Sequence, residues 1–85
     1  IGPYDLSCSM GIPGEFNNPK FKQVIESIIS ISNEMNAVSG LHVVEPDLLK
    51  LDEAIKIGHK FIAYSVDIRM LAVMAKSGVD RIKRQ

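Results

Sequence analysis

The sequence has little of several features that define common classes of protein. It contains one cysteine, Cys8, no tryptophan and no formal net charge. A single cysteine excludes a disulfide within the chain, so a reducing compartment is compatible with it. The balanced charge gives no electrostatic basis for binding nucleic acid. No apolar run approaches the ~20 residues that cross a bilayer, and we therefore expect a cytoplasmic protein without a membrane segment.

The composition that remains is that of an ordinary globular protein. Hydrophobic residues make up 46% of the 85 residues, as expected for one compact unit. The chain begins Ile1-Gly2-Pro3, without an initiator methionine and in a pattern typical of the end of a buried strand. We therefore expect these residues to be a fragment, with part of their domain upstream.

Apolar periodicity and capping residues predict an alternation of strands and helices. Asn18 is a good N-cap, and Pro19 occupies the favoured first helical position. Asp47 and Asp67 are placed to cap two later helices. The predicted helices cover residues 19–36, residues 48–57 and the chain from residue 68. The first predicted strand ends near residue 3, and the other two cover residues 41–44 and 61–66.

The order strand, helix, strand, helix, strand, helix predicts an α/β fold, a parallel βαβαβα segment. Right-handed crossovers make consecutive strands parallel, and a parallel sheet needs cover on both faces. Three strands with three helices leave the edges of the sheet open. The segment therefore fits three units of a TIM barrel, and a small doubly wound sheet is the alternative.

Polar side chains follow the predicted strands. The carboxyl ends of parallel strands share one edge of the sheet, which places Asp5, Glu45 and Asp67 at one rim. From spacing alone, Asp5 is most simply the start of an Asx turn that caps backbone N–H groups. We interpret His42 as a packed, hydrogen-bonded histidine within its strand, and His59 as a surface residue after a helix.

Three stretches carry a resemblance to a known family. They are Gly2-Pro3-Tyr4-Asp5-Leu6-Ser7 with Ser9-Met10-Gly11, Gly40-Leu41-His42-Val43-Val44-Glu45-Pro46-Asp47, and Phe61-Ile62-Ala63-Tyr64-Ser65-Val66-Asp67. Along nearly its whole length the chain resembles the HpcH/HpaI aldolase/citrate lyase family, the class II metal-dependent 2-keto-acid aldolases. The resemblance implies the last three units of a TIM (β/α)8 barrel. It implies that residues 1–85 are the C-terminal fragment of a single TIM-barrel aldolase domain.

The resemblance also implies roles for individual residues. Asp5 matches the metal-binding aspartate of the family, and the implied ion is Mg²⁺ or Mn²⁺, with Co²⁺ as a further candidate. Tyr4 matches the position whose backbone lies against pyruvate, and His42 a position that lines the aldehyde pocket. Ser7 is expected to satisfy the loop backbone or to support Asp5. The other metal ligand, the pyruvate-binding arginine and the acid/base histidine match upstream positions. No catalytic residue is therefore expected within this chain, and its metal site is incomplete.

The implied activity of the intact protein is that of a carbon–carbon lyase. It is metal-dependent aldol cleavage of a 4-hydroxy-2-oxo acid to pyruvate and an aldehyde, or the reverse addition. The chain alone is expected to be inactive, and the resemblance further implies a homo-oligomer. Two alternatives stay open: a citrate or acyl-CoA lyase relative, and a non-catalytic α/β interaction module.

Overall fold

The structure is a computed structural model and describes residues 1–84. It is an α/β fold in which four helices and two short strands follow one another along the chain. In order, the elements are α1 (Pro3–Ser9), α2 (Pro19–Glu34), β1 (Gly40–Val43), α3 (Leu48–Lys56), β2 (Phe61–Tyr64) and α4 (Asp67–Lys83). Within the described residues, no helix combines the length and the apolar character needed to span a bilayer.

The two strands pair in parallel, which confirms the orientation predicted from their helical connection. Their register runs from Gly40 beside Phe61 to Val43 beside Tyr64. On the other side of β1, the amino group of Ile1 donates to the Gly40 carbonyl at 2.9 Å. The His42 amide donates to the Ile1 carbonyl at 3.2 Å. This hydrogen-bond pattern is that of a parallel ladder, so Ile1 lies beside β1 in the same direction as β2.

The prediction of three strands is wrong for the part of the chain that the structure describes. Only Ile1 pairs like a strand, and the residues after it form helix α1 rather than a loop. Pro3 occupies the first helical position, where its missing N–H removes no intrahelical bond. The proline therefore ends the strand and begins a helix at the same point, and Leu6 makes the first helical bond, to the Gly2 carbonyl at 2.9 Å.

Helix α2 forms as predicted and carries the core. The Asn18 side chain accepts a hydrogen bond from the Lys20 amide at 2.9 Å, which caps the helix. One face of α2 buries Phe21, Ile25 and Ile29, spaced four residues apart. The apolar residues packed against this face come from the first sixteen residues: Ile1, Leu6, Met10, Ile12 and Phe16.

The caps of the last two helices differ from each other. Asp47 caps α3 as predicted, because its carboxylate accepts hydrogen bonds from the amides of Leu49 and Lys50. Asp67 was predicted to cap α4, and this is wrong: the N-cap is Val66, and Asp67 is the first helical residue. The Asp67 carboxylate accepts the Ile68 amide at 2.8 Å instead.

Candidate functional site

Three connections converge at the carboxyl end of the strands. They are α1 after Ile1, the turn between β1 and α3, and the two residues between β2 and α4. In open parallel α/β sheets and in barrels, this end of the sheet is where ligands bind. We define these three connections as the carboxyl rim.

Asp5 lies at the carboxyl rim in the first turn of α1 and is exposed. Within residues 1–84 its carboxylate accepts no hydrogen bond, so the Asx-turn interpretation does not describe it. Its Oδ2 atom lies close to the backbone of Gly2, where an added Cβ would sit 3.1 Å from it. The glycine therefore leaves space beside a carboxylate whose oxygens are available to a ligand.

Ser7 fixes the backbone around Asp5. Its side chain is fully buried, and its hydroxyl donates to the Tyr4 carbonyl at 3.0 Å. The same hydroxyl accepts a hydrogen bond from the Gly14 amide at 3.0 Å. Ser7 thus satisfies loop backbone, one of its two predicted roles, and ties the residue before Asp5 to the following turn.

The Tyr4 ring packs against an aromatic side chain that contacts the core. It packs edge-to-face on Phe16, with ring centroids 4.9 Å apart and planes at 75°. Phe16 in turn contacts Phe21 of α2, at a centroid distance of 5.3 Å. The ring is half-exposed, so the aromatic contact anchors α1 while the Tyr4 backbone remains at the rim.

His42 is hydrogen-bonded within the sheet, as predicted. Its Nε2 atom lies 3.0 Å from the Ser65 carbonyl, just beyond the end of β2. Because a carbonyl can only accept, this geometry requires the proton on Nε2. The bond joins β1 to the start of the connection that leads into α4.

Glu45 forms a salt bridge with Arg69, a residue that the sequence did not single out. Arg69 lies in the first turns of α4, and its Nη2 and Nε atoms donate to the Glu45 carboxylate at 2.8 Å and 3.0 Å. The hydrogen bond from Arg69 lowers the pKa of Glu45. No signal in the sequence pairs residues 24 positions apart, so the ion pair could be found only in the structure.

The carboxylates at the carboxyl rim therefore differ in whether their oxygen atoms already accept hydrogen bonds. Glu45 is held by Arg69, whereas Asp47 and Asp67 accept backbone amides. Asp5 remains without a partner among residues 1–84. No group of three or more metal-ligating side chains occurs in the described part of the chain. Asp5 can thus supply one hard oxygen ligand, while a tightly held Mg²⁺ or Mn²⁺ needs several.

The other histidine lies at the opposite end of the sheet, and its predicted surface position is wrong. His59 precedes β2 and is only 4% exposed. Neither ring nitrogen has a hydrogen-bond partner among the described residues. Burial lowers the pKa of His59, because it disfavours the charged form of the ring. Its place after the helix-ending Gly58 did not reveal this burial, because position at the end of a helix does not show whether a side chain is buried.

Comparison with known proteins gives the class. No family model matches the chain. The chain is 32% identical over 85 residues to a 4-hydroxy-2-oxo-heptane-1,7-dioate aldolase of Escherichia coli, covering all of this chain and 32% of that protein. It is 33% identical over 67 residues to a 2-keto-3-deoxy-L-rhamnonate aldolase of E. coli, covering 79% of this chain and 24% of the relative. Both of these relatives are aldolases.

Solved structures agree over almost the whole chain. An HpcH/HpaI aldolase from Desulfitobacterium hafniense superposes with a TM-score of 0.85 at 28% identity, covering 99% of this chain and 32% of that one. A protein of the HpcH/HpaI aldolase/citrate lyase family from Burkholderia cenocepacia superposes with a TM-score of 0.89. Its identity is 18%, so this likeness shows the fold alone. The chain is thus similar along its full length to part of the HpcH/HpaI aldolases, the family that its motifs suggested, and it spans about a third of the length of these relatives.

Proposed function

We propose that the protein containing this chain is a class II pyruvate aldolase. It cleaves a 4-hydroxy-2-oxo acid to pyruvate and an aldehyde, with a divalent metal ion. The observation that carries the proposal is the similarity, along the whole chain, to a protein named as an aldolase of such an acid. The free carboxylate of Asp5 at the carboxyl rim supports it, because this is the ligand type that the chemistry requires.

Asp5 is the residue of this chain that would hold the metal. Its exposed oxygens, which have no hydrogen-bond partner among residues 1–84, fit Mg²⁺ or Mn²⁺, and Co²⁺ is a further candidate. One carboxylate is too few, so the proposal draws the remaining ligands from other parts of the protein. When bound, the metal supplies Lewis-acid polarisation of the substrate's keto oxygen.

The remaining residues of the site position the substrates. The backbone at Tyr4, tied down by the Ser7 hydroxyl, is proposed to lie against pyruvate. His42 is proposed to line the aldehyde pocket. Since its Nε2–H is taken by the Ser65 carbonyl, the part of the ring left for an aldehyde is Nδ1 or the ring face.

The same proposal includes a TIM barrel, a homo-oligomer and a cytoplasmic location. Support for the barrel comes from the parallel register of β1 with β2 and the parallel pairing of Ile1 on the other side of β1. Support for the oligomer comes from α4, whose apolar side chains Ile68, Leu71 and Ile82 are exposed.

The test is exchange of the methyl protons of pyruvate in D₂O, followed by NMR, with and without Mg²⁺, Mn²⁺ or Co²⁺. Metal-dependent exchange by the whole protein is expected, because removal of a methyl proton is the half-reaction common to pyruvate aldolases. The 85-residue chain, assayed in parallel, is expected to be inactive. Absence of exchange by the whole protein with every metal would contradict the proposal and leave the two alternatives, a citrate or acyl-CoA lyase relative and a non-catalytic module.

A further inference from the structure

Arg69 bridges two of the three connections at the carboxyl rim. It belongs to the first turns of α4, after β2, yet its guanidinium reaches Glu45, after β1. Nε donates to both carboxylate oxygens, at 3.0 Å and 3.2 Å, and Nη2 donates to one of them at 2.8 Å. This two-pronged contact fixes the plane of the guanidinium as well as its position.

The start of α4 places this cation at the carboxyl rim, because α4 follows the carboxyl end of β2. The hydrogen bond to Glu45, and secondarily the charge of Glu45, raises the pKa of Arg69. The guanidinium is therefore a fixed positive charge that joins the connection after β1 to the connection after β2.

The salt bridge leaves part of Arg69 available. Guanidinium has five N–H donors, and the contact with Glu45 uses those on one edge, Nε and Nη2. Nη1 makes no hydrogen bond to any of residues 1–84, and 44% of the side chain is exposed. A fixed plane with a free edge is suited to a planar anion such as a carboxylate.

We infer that Arg69 is a specificity-determining residue that binds an anionic group on the aldehyde, with Glu45 as its positioning residue. This inference rests on the proposed function, since it places the second substrate at the same rim as Asp5. An exposed ion pair contributes little to stability, because water screens it. The pair is therefore better explained by orientation of the arginine than by attachment of α4.

The experiment compares two aldehydes of equal chain length in the whole protein, with pyruvate and metal. One, 4-oxobutanoate, carries a carboxylate, and the other, butanal, does not. The wild type is expected to show a higher kcat/KM for 4-oxobutanoate. Arg69→Met is expected to lower this preference about 10- to 100-fold, the range for one charge-assisted hydrogen-bonded contact. The loss is expected mainly in KM for the anionic aldehyde, because a binding contact is removed.

Companion variants separate binding from folding. Arg69→Lys keeps the positive charge but loses the planar, bidentate guanidinium, and it is expected to retain part of the preference for 4-oxobutanoate. Glu45→Gln is expected to lower the preference less than Arg69→Met; an unchanged or higher preference would remove the positioning role. Arg81→Met, an exposed cation farther along α4, is the matched control and is expected to keep the preference.

The outcomes distinguish this inference from the proposed function. If the wild type exchanges pyruvate protons but shows no preference, or if Arg69→Met lowers kcat/KM equally for both aldehydes, the role of Arg69 is overturned and the aldolase proposal stands. If the wild type neither exchanges pyruvate protons nor turns over either aldehyde, both are overturned.

Discussion

Polar side chains are exposed at one end of the small parallel sheet and buried at the other. At the carboxyl end, Asp5 and Arg69 are exposed, and Arg69 keeps donors free beyond its salt bridge. At the amino end, His59 is buried without a hydrogen-bond partner among residues 1–84, and Gly40 lies so close to the neighbouring strand that a side chain would not fit. The comparison indicates that changes at the carboxyl end affect mainly activity, whereas changes at the amino end affect mainly stability.

The largest expected effect is the loss of activity in Asp5→Asn. If the proposed function holds, this change removes the charge of the proposed metal ligand and is expected to slow metal-dependent pyruvate exchange by about 100-fold or more, because a bound metal would supply several kcal/mol of stabilisation. The melting temperature of the whole protein is expected to change little, because the Asp5 carboxylate makes no hydrogen bond in the described chain. Asp80→Asn on α4 is the control and should keep its exchange rate. Equal loss of the exchange rate in both variants, or unfolding of Asp5→Asn, would contradict the expectation that changes at the carboxyl end affect mainly activity.

The next effect is a loss of stability in Gly40→Ala at the amino end. A Cβ atom there would contact the Phe61 carbonyl oxygen too closely for either backbone to stay in place. We expect a loss of about 1–3 kcal/mol in the free energy of unfolding, measured with urea on the whole protein.

The control for this change has the opposite sign. Gly78 lies inside α4, and apart from its chain neighbours and the nearby backbone of its own helix, no atom of residues 1–84 lies within 4 Å of an added Cβ. Gly78→Ala is therefore expected to stabilise the protein by about 0.5–1 kcal/mol through helix propensity. A similar response of both glycines would show that the close strand approach at Gly40 is unimportant.

A smaller effect is expected from the helix caps at the carboxyl end, and it concerns stability rather than activity. Asp47 caps α3 through two backbone amides, whereas Asp67 accepts only its neighbour's amide. Asp47→Ala is expected to cost about 1 kcal/mol of unfolding free energy, and Asp67→Ala a few tenths. Thermal unfolding of the two variants measures the difference. A larger cost for Asp67→Ala would mean that α4 is capped by its side chain after all.

The smallest expected effect is a pH dependence from His59. Its pKa is lowered in the folded protein, so below ~6.5 the unfolded chain binds the proton more readily. The contribution of His59 to stability is therefore fully present above ~6.5 and declines as the pH falls toward the folded pKa. His59→Leu and His59→Gln are both expected to flatten this part of the curve of unfolding free energy against pH. Variants that run parallel to the wild type would assign the dependence to other groups.

Local signals predicted the elements whose boundaries are set by neighbouring residues. The cap at Asn18 with Pro19 placed α2 correctly, and Asp47 placed α3. The same logic failed at Pro3, because a proline that ends a strand and one that begins a helix have the same φ. Seven residues are also too few for a helical repeat to be visible in α1.

The candidate site was predicted in part. The sequence located the hydrogen-bonded His42 and the carboxylates near the strand ends, because parallel strands bring those ends together. It did not find Arg69, which appears on α4 as one more polar residue, nor the burial of His59. The contact of Arg69 joins residues 24 positions apart, and local spacing carries no information about such a contact or about the burial of one side chain.

Ser65 connects the sheet to α4 with a φ of 55°, in the left-handed region. None of the 17 residues of α4 is buried, so the backbone of the connection at Ser65 and the salt bridge of Arg69 near the start of the helix together set its direction. A helix of that length is roughly 25 Å long, and a turn of ~20° at its base moves the far end by roughly 9 Å. A substitution that changes the φ of Ser65 is therefore expected to displace the far end of α4 by a distance similar to the width of a helix.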